Sequence, residues 1–437
     1  MHGNLRYVKL AQIWLAAGLA AILLPSPALA EAVAPTAAPG YLAVASDGSP
    51  RVAFLSARDV AVARRTAAGW SFKGSGGLPR GDALIAGLVV DRKGRATVLV
   101  EAHDGSWIAL GVPGRKARVI ARPRKGASFG PAGLALDAAN RPAVAYALRL
   151  KSGKTFLRLV TTDARGRLHT AGVTKAGFPA SGLPPGAVPV LVRGRLHVVE
   201  TYTSAAIDWE PQKKGGWVGQ YLFASRIGSP TGRVGAVANG QTLWAAWTQL
   251  SADAISVLLT LSASTQETNV ILEHGIFVSL LLDAGRPELG AYDWAEIGDW
   301  TAYAGVIADD SGPVSELDGR LDGYAPAPGG RRQLLLSTGS GLEWFEAPAR
   351  PSVKVSLSAD SAGHVTGHVD GAQGGLVHVY RESPSGRALV ATVPLEADGS
   401  FAVQDSAPTS PTLYRAVYDD FATGIPYASL LRTPVGP

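Results

Sequence analysis

The sequence contains no cysteine, a single methionine and few charged residues, which make up 17% of its 437 positions. Without cysteine there is no disulfide framework, no Cys-ligated zinc or iron–sulfur site and no cysteine nucleophile. The small charged fraction excludes a disordered polyelectrolyte and a coiled coil. Long apolar runs are also lacking after the first 24 residues, so no later segment has the ~20 apolar residues of a membrane-spanning helix.

The first 30 residues have the pattern of a secretory signal peptide. Arg6 and Lys9 precede the apolar run Leu10–Leu24, and a Pro-Ser-Pro break leads to Ala28-Leu29-Ala30. Small residues at the −3 and −1 positions predict cleavage after Ala30, and the apolar run is too short for a spanning helix. We therefore expect a secreted or periplasmic protein, without stable membrane insertion after cleavage.

Glycine and proline are abundant, with 52 and 29 residues, and they recur in a repeat. The repeat has an apolar run, a short Asp/Asn/Gly-rich turn and a second apolar run, as in Leu134–Tyr146, which predicts a β-hairpin. Aligning the hairpins gives spacings of 45 or 46 residues four times and 54 twice. The aligned positions are Pro50, Ala96, Pro142, Leu196, Thr242, Pro287 and Gly341.

A period near 46 residues with four strand-sized segments is typical of a β-propeller blade. In the third repeat the predicted strands are Gly133–Leu136, Ala143–Leu148, Phe156–Thr161 and Leu168–Val173. Six repeats are complete, and the seventh stops after its first hairpin near Glu346. We predict an all-β chain with a propeller at residues 31–346, either seven blades with a short last one or six blades with an extra closing hairpin.

The turn residues carry a resemblance to a known superfamily. Leu136-Asp137-x-x-Asn140-x-Pro142-x-Val144-x-Tyr146 and Leu282-Asp283-x-Gly285-x-Pro287 resemble repeats of the sialidase-like (BNR-type) secreted bacterial propellers. The resemblance is to a repeat style and covers roughly residues 41–346. It implies a propeller fold in an exported bacterial protein.

The pattern changes after the linker at residues 347–351. Residues 352–437 contain about seven short apolar segments separated by Asp, Gly, Pro and Ser turns, which predicts a β-sandwich. This part resembles the immunoglobulin-like or fibronectin III-like modules of secreted bacterial proteins. The resemblance implies a spacer or a second contact surface.

Charge is divided unevenly along the chain. Residues 31–232 have a net charge of +16 and residues 233–349 a net charge of −10. A basic region can attract nucleic acid, anionic lipid or acidic polysaccharide, but solvated loop arginines are the simpler interpretation. Because export separates the protein from nucleic acid, we expect a glycan or an extracellular or envelope protein as partner.

Six of the ten tryptophans lie between residues 209 and 300, and four of these fall in repeats 4 and 6 beside carboxylates. We place these four between the second and third strands, whose connections share one face of a propeller. Aromatic faces beside carboxylates suit a sugar, although these tryptophans could instead pack against neighbouring blades. The predicted ligand-binding residues are Tyr202, Trp209, Trp217, Trp294, Trp300 and Tyr303.

The sequence contains no Gly-x-Ser-x-Gly, P-loop, His-Glu-x-x-His or EF-hand motif. Glycoside hydrolysis would need two carboxylates about 5–10 Å apart. The candidates are Asp208, Glu210, Asp293, Glu296 and Asp299. We expect no cofactor; a weak Ca²⁺ alternative to a solvated acidic loop rests on Asp309, Asp310, Asp318 and Asp322.

The leading hypothesis is an exported, non-catalytic propeller that binds a glycan or an envelope protein through repeats 4–6. The alternative is a carbohydrate-active enzyme, a glycoside hydrolase or polysaccharide lyase, that uses the carboxylates on the same face. A third possibility is a scaffold that binds only proteins.

Overall fold

A computed structural model describes residues 30–34, 39–56, 59–79, 81–174, 178–179, 185–202, 205–224, 229–240, 242–250, 255–261, 268–297, 300–372, 374–383, 386–408 and 413–429. The predicted signal peptide, apart from Ala30, lies outside these residues. The described chain is built from β-strands, as the sequence predicts, and no described helix is both long and apolar enough to cross a bilayer. The fold is a β-propeller followed by a β-sandwich, which confirms the predicted class.

The described strands between residues 31 and 347 form seven antiparallel units, which we call units 1–7 in chain order. Five are separate four-stranded sheets, unit 3 has two additional short strands, and the four strands of unit 6 belong to a larger sheet. The first strand of the chain, β1 (Glu31–Ala34), belongs to the last unit. Unit 1 contains β2 (Gly40–Val44), β3 (Pro50–Ser56), β4 (Asp59–Thr66) and β5 (Gly69–Ser75). Unit 2 contains β6 (Ala83–Val90), β7 (Ala96–Ala102), β8 (Ile108–Gly111) and β9 (Arg118–Ala121).

Units 3 and 4 follow in the chain. Unit 3 contains β10 (Ser128–Phe129), β11 (Gly133–Leu136), β12 (Pro142–Arg149), β13 (Lys154–Thr162), β14 (Leu168–Gly172) and β15 (Phe178–Pro179), where β10 and β15 are short additions. Unit 4 contains β16 (Ala187–Val192), β17 (Arg195–Tyr202), β18 (Ala205–Pro211) and β19 (Trp217–Ala224). The four strands predicted for the third repeat match β11–β14 to within two residues.

Units 5 and 6 continue the same order. Unit 5 contains β20 (Ser229–Asn239), β21 (Thr242–Leu250), β22 (Ile255–Leu261) and β23 (Thr268–Leu272). Unit 6 contains β24 (Ile276–Asp283), β25 (Arg286–Ile297), β26 (Trp300–Asp309) and β27 (Gly312–Asp318). The first strand of each unit contacts the first strand of the next, and the first strand of unit 7 contacts that of unit 1. The units therefore form a closed ring.

Unit 7 corrects the prediction for the last repeat. Its first three strands are β28 (Arg320–Pro326), β29 (Arg332–Thr338) and β30 (Gly341–Ala347), and β1 supplies the fourth. The hairpin at residues 334–344 thus joins the second and third strands, not the first and second. It was misplaced because the first connection has no Asp or Asn and contains a 3₁₀ turn at Pro328–Gly330. Arg332 lies 45 residues after Pro287, so the period continues to the end of the ring.

The first turn of a unit shows why the repeat is readable in the sequence. In unit 3 the Asp137 carboxylate accepts hydrogen bonds from the backbone N–H and side chain of Arg141, and Asn140 adopts a positive φ of 62°. In unit 2 Asp91 accepts from the N–H groups of Lys93 and Arg95. Asp and Asn favour such turns because their side chains bond to nearby backbone groups and tolerate left-handed backbone.

Each pair of neighbouring units buries its own apolar cluster. Between units 1 and 7, for example, Val52 and Phe54 pack with Leu335 and Trp344. Between units 5 and 6, Val257 and Leu259 pack with residues of β24–β26. Because these clusters repeat around the ring, the chain has no single centre of packing, and ring closure by β1 buries Val33 and Ala34 in the last cluster.

The C-terminal module, residues 354–429, is a sandwich of two sheets that meet in one apolar cluster. One sheet has the order β31 (Lys354–Ala359), β32 (His364–Asp370), β35 (Ser400–Gln404). The other has the order β34 (Gly386–Pro394), β33 (Leu376–Ser383), β36 (Leu413–Asp419), β37 (Pro426–Ala428). The predicted linker falls between β30, which ends at Ala347, and β31. The exact domain boundaries stay a prediction.

Candidate functional site

The predicted site residues of unit 4 lie mainly in strands. Asp208, Trp209 and Glu210 belong to the third strand, β18, and Trp217 begins the fourth strand, β19. Tyr202 ends the second strand and pairs with Ala205 across the turn. Only Tyr202 therefore flanks the connection between the second and third strands, where the sequence placed all of them.

Trp209 packs into the interface between units 3 and 4. Its ring lies over Gly219, where an added Cβ would come within 3.0 Å of the indole, and its Nε1 donates a 2.9 Å hydrogen bond to Glu200 Oε2. Trp217 joins the same apolar cluster. The packing interpretation thus accounts for both tryptophans of unit 4.

Glu200 is fully buried, and burial raises the pKa of its carboxyl group to about 7, against the lowering effect of the Trp209 hydrogen bond. Its other oxygen, Oε1, has no hydrogen-bond partner among the described residues. A buried carboxylate without a cation is costly, so the proton is retained to a higher pH than usual. Sequence analysis did not single out Glu200, because its environment is created by the neighbouring unit.

The two candidate carboxylates of unit 4 are already paired. Both Asp208 oxygens lie 3.0 Å from His197 Nδ1, and the pair is largely buried. Glu210 forms a more exposed pair with Arg195, at 3.2 Å. These contacts link neighbouring strands of the same unit, which is a sufficient structural role for both side chains.

Unit 6 arranges the same residue types differently. The hairpin of β25 and β26, which we call the aromatic hairpin, runs from Arg286 to Asp309 and pairs Trp294 directly with Tyr303. The ring centroid of Tyr292 lies 6.5 Å from that of Trp294 and 6.0 Å from that of Tyr303. All three rings are only partly buried. They form a connected aromatic surface near the end of the hairpin.

The carboxylates of the aromatic hairpin do not all accompany these rings. Side chains alternate between the two faces of a strand, so Asp293 lies on the face opposite Tyr292 and Trp294. Asp293 is buried, and its Oδ1 accepts a hydrogen bond from the Trp294 N–H. Glu296 is exposed and pairs with Thr301, next to Ile297, which pairs with Trp300. Asp299 lies outside the described residues.

The aromatic face of the hairpin is turned toward unit 7. Glu288, on the same face of β25, accepts hydrogen bonds from Arg332 and from the Tyr324 hydroxyl group of unit 7. Nearer the aromatic end, the Arg320 guanidinium lies 5.7 Å from the Tyr303 ring centroid and pairs with Asp322. The aromatic surface is thus bordered by the Arg320 guanidinium, whose position is fixed by Asp322.

A central channel lies between the first strands of the units. It is lined by the first strands of units 1–6, including Tyr41, Leu134, Arg233 and Phe277. The Arg233 side chain crosses from unit 5 to donate to the Ile85 carbonyl oxygen and lies 4.7 Å from the Tyr41 ring centroid. Sequence analysis missed this residue, because no local pattern marks a side chain that meets its partners across a ring.

Electrostatics connect the channel with the hairpin. Burial raises the pKa of Tyr292, and the guanidinium groups of Arg320 and Arg233 oppose the rise. In unit 2, burial raises the pKa of Glu101 to about 7, although the Ala132 N–H and the Arg233 charge favour its ionised form. The charge of Arg233 therefore lowers the pKa values of both Tyr292 in unit 6 and Glu101 in unit 2, against the effect of burial.

The predicted residues of units 4 and 6 lie at opposite ends of their sheets. Glu210 and Trp217 flank the turn between the third and fourth strands, whereas Trp294 and Tyr303 lie near the turn between the second and third strands. Successive turns of an antiparallel sheet alternate between its two ends. The structure thus brings together the aromatic residues of unit 6 but does not join them with Glu210 or Trp217.

The four acidic residues considered for Ca²⁺ are also separated. Asp309 and Asp310 precede β27, whereas Asp318 ends it and Asp322 lies in β28. Asp309 pairs with Arg350, Asp318 with Arg387 and Arg415, and Asp322 with Arg320. Among the described residues, no group of three His, Asp or Glu side chains is arranged to hold a metal ion.

No protein-family model and no curated protein matches the sequence. Similar solved structures include AofleA from Arthrobotrys oligospora, with 11% identity, 65% of this chain and 84% of that chain covered, and a TM-score of 0.40. A Hadza microbial sialidase, Hz136, has 12% identity, coverages of 70% and 74%, and a TM-score of 0.41. A prolyl endopeptidase has 13% identity, coverages of 78% and 56%, and a TM-score of 0.39. Identities this low say nothing about function.

Proposed function

We propose that this protein is an exported binding propeller that recognises a glycan through the aromatic hairpin of unit 6. The observation that carries the proposal is the connected surface of Tyr292, Trp294 and Tyr303, which is partly exposed and lies near a hairpin end. Aromatic faces pack against the apolar faces of sugar rings, and nearby polar groups can bond to hydroxyls. Arg320, beside Tyr303, is such a group.

Binding is favoured over hydrolysis by what the candidate carboxylates contact. Asp208 pairs with His197, Glu210 pairs with Arg195, and Asp293 is buried on the face opposite the aromatic rings. Hydrolysis of a glycosidic bond would need two of them on either side of the bond. The alternative, a carbohydrate-active enzyme, predicts turnover of a polysaccharide by the purified protein and its loss in Glu296→Gln or Asp208→Asn.

The proposal is tested by replacing the aromatic residues singly. Trp294→Ala and Tyr303→Ala should each weaken binding to a positive member of a glycan array at least tenfold. Trp217→Ala is the matched control, because this half-buried tryptophan lies at the opposite end of unit 4. Unchanged binding in Trp294→Ala and Tyr303→Ala, or an equal loss in Trp217→Ala, would rule out the proposed surface. Binding only to envelope proteins would support the scaffold alternative.

Export is supported by the position of β1. Cleavage after Ala30 would leave Glu31, the first residue of β1, as the new N-terminus. The strand that completes unit 7 would then begin where the predicted signal peptide ends, so nothing needed for ring closure would be removed. N-terminal sequencing of the protein recovered from the periplasm or medium should begin at Glu31; retention of residues 1–30 would contradict export by this route.

We also propose that the C-terminal module is an immunoglobulin-like or fibronectin III-like sandwich. Its first, second and fifth strands form one sheet, and its third, fourth, sixth and seventh strands form the other. Near the start of the sixth strand the hydroxyl group of buried Tyr414 donates a 2.6 Å hydrogen bond to Asp405, upstream in the chain. The tyrosine corner of immunoglobulin-like sandwiches has a similar place in the chain but bonds to the backbone, so the division of strands between the two sheets is what supports a module of that class.

A further inference from the structure

The C-terminal module continues the sheet of unit 6. The outermost strand of that unit, β27, pairs with β37 through Leu317 and Tyr427, which gives one eight-stranded sheet. The order is β24-β25-β26-β27-β37-β36-β33-β34, so the module is joined to the unit that carries the aromatic hairpin. A spacer on a flexible linker would not share a sheet with its neighbour.

The two parts also share an apolar core. Ile307 and Leu317 of unit 6 belong to the same buried cluster as Val377 and Tyr414 of the module. A smaller cluster at the aromatic end of the hairpin contains Ile297, Ala302 and Ala304, and Leu413 of the module packs against it. Burial of these side chains depends on the presence of both parts, so docking of the module should be stable rather than transient.

Arg415 connects the module to the backbone of the aromatic hairpin. Its side chain is 3% exposed, its Nη1 lies 2.6 Å from Asp318 Oδ1, and its Nη2 donates a 2.9 Å hydrogen bond to the Tyr303 carbonyl oxygen. The remaining nitrogen of the guanidinium, Nε, lies 3.5 Å from Glu382 Oε1. The two atoms form an ion pair but not a hydrogen bond. The planar fork thus holds one module strand and two parts of unit 6 in fixed relation.

Arg387 provides a useful contrast. It also pairs with Asp318, at 2.9 Å, and lies near Glu382. Its guanidinium stacks on Tyr380 of the module, 3.7 Å from the ring centroid. Its side chain is more exposed than that of Arg415, and among the described residues it forms no hydrogen bond or ion pair with the aromatic hairpin. Variants of the two arginines can therefore distinguish the effect of the ion pairs with Asp318 from the effect of the contact with Tyr303.

We propose that the C-terminal module positions the aromatic hairpin for ligand binding and that Arg415 is the positioning residue. Tyr303 pairs directly with Trp294, so a bond that fixes the Tyr303 carbonyl also fixes the strand pair that presents both rings. Leu413, two residues before Arg415, supports the same hairpin from its apolar side. The ligand-binding part of this inference rests on the proposed function; the effect on the hairpin does not.

The first test needs no ligand and uses the full chain. Arg415→Lys keeps a positive charge for Asp318 but cannot supply the two-pronged contact to Asp318 and the Tyr303 carbonyl. Amide hydrogen exchange in peptides covering residues 292–305 should become at least tenfold faster than in the wild type, while peptides from units 1–3 keep their rates. Arg387→Lys is the matched control and should leave the exchange of residues 292–305 within about twofold of the wild type.

Two outcomes would overturn the inference. Unchanged exchange in the hairpin of Arg415→Lys would show that Arg415 does not position it, and faster exchange throughout the ring would show a general loss of stability. If Arg415→Lys does not fold, Leu413→Ala replaces it, because it removes a side chain that packs on the hairpin but leaves the ion pairs in place. The same local acceleration is expected in that variant, and its absence would overturn the inference too.

The second test measures binding to the glycan that the wild type recognises best on an array. Arg415→Lys should raise the Kd at least fivefold, and Arg387→Lys less than twofold. An unchanged Kd together with a loosened hairpin would overturn the functional part of the inference. If the wild type binds no glycan at all, the proposed function fails, whereas the hydrogen-exchange result still decides whether Arg415 positions the hairpin.

Discussion

Units 4 and 6 contain similar residues and use them in opposite ways. Each has two tryptophans within a segment rich in tyrosine and carboxylates. In unit 4, Trp209 packs on Gly219 and bonds to the buried Glu200. In unit 6, Trp294 pairs with Tyr303 near the end of a hairpin, where the rings are only partly buried. Composition alone therefore does not distinguish a packing cluster from an exposed aromatic surface.

The difference has a geometric cause. Trp209 is in the middle of its unit, opposite Val198, so the neighbouring unit 3 covers it. The aromatic hairpin is longer: β25 has 12 residues and β26 has 10, whereas β17 and β18 have 8 and 7. The longer strands place Trp294 and Tyr303 close to the end of the sheet, where Leu413 of the C-terminal module packs on the opposite face of the hairpin. Strand length thus contributes to the different positions of Trp209, within an interface between units, and Trp294, near a hairpin end.

The largest expected effect separates the two tryptophans by stability. Trp209→Ala should lower the free energy of unfolding by about 3 kcal/mol, because it leaves a cavity between units 3 and 4 and deprives Glu200 of its donor. Trp294→Ala should cost less than about 1 kcal/mol, since its ring is partly exposed at a hairpin end. Urea denaturation of both variants under the same conditions measures the difference. Equal losses would contradict the division between packing and surface residues.

Much of the fold was predictable, because it depends on local turns. The side chains of Asp91 and Asp137 accept hydrogen bonds from backbone N–H groups within four residues and so stabilise the first turns of units 2 and 3. Because these contacts are local, the turns recur as a recognisable period in the sequence. The all-β propeller and the sandwich are confirmed on this basis. The placement of the last repeat was wrong, because the turn at Pro328–Gly330 differs from the others and because β1, 300 residues away in the chain, supplies the fourth strand.

The candidate site was less predictable, because it depends on contacts between distant segments. Sequence analysis selected Trp294 and Tyr303, which the structure pairs, but also Trp209 and Trp217, which pack between units. It gave no sign of Arg233, whose partners belong to units 1 and 2, or of Arg415, which reaches unit 6 from the module. Whether any of these residues binds a ligand stays a prediction.

Units 4 and 6 also differ in how each stabilises a buried carboxylate. In unit 6, Glu288 is held by Arg332 at 2.8 Å and by the Tyr324 hydroxyl group. In unit 4, the one hydrogen bond to the Glu200 carboxylate from the described residues comes from the Trp209 indole. Removing one partner of a buried ion pair destabilises the folded protein. Removing the charge of a buried carboxylate that has no cation stabilises the folded protein. The same substitution should therefore have opposite effects in the two units.

Glu200→Gln should stabilise the protein by about 1–2 kcal/mol at pH 8. The folded-state pKa of Glu200 is about 7, above the ordinary value of 4.5, so between these values the folded protein holds a proton that the unfolded chain has lost. The free energy of unfolding therefore falls as the pH rises through this window, and the full cost is present above it. The amide has no charge to desolvate, although it needs partners of its own, which limits the gain.

The measurement is urea denaturation of the wild type and Glu200→Gln at several pH values from 4.5 to 8. The curves should lie close together at the acidic end and separate as the pH rises, with the variant less dependent on pH. Glu288→Gln is the matched control and should lose stability at pH 8, because Arg332 stays buried without its carboxylate partner. If both variants lose stability to the same extent, Glu200 has an unrecognised partner and the contrast between the two units does not hold.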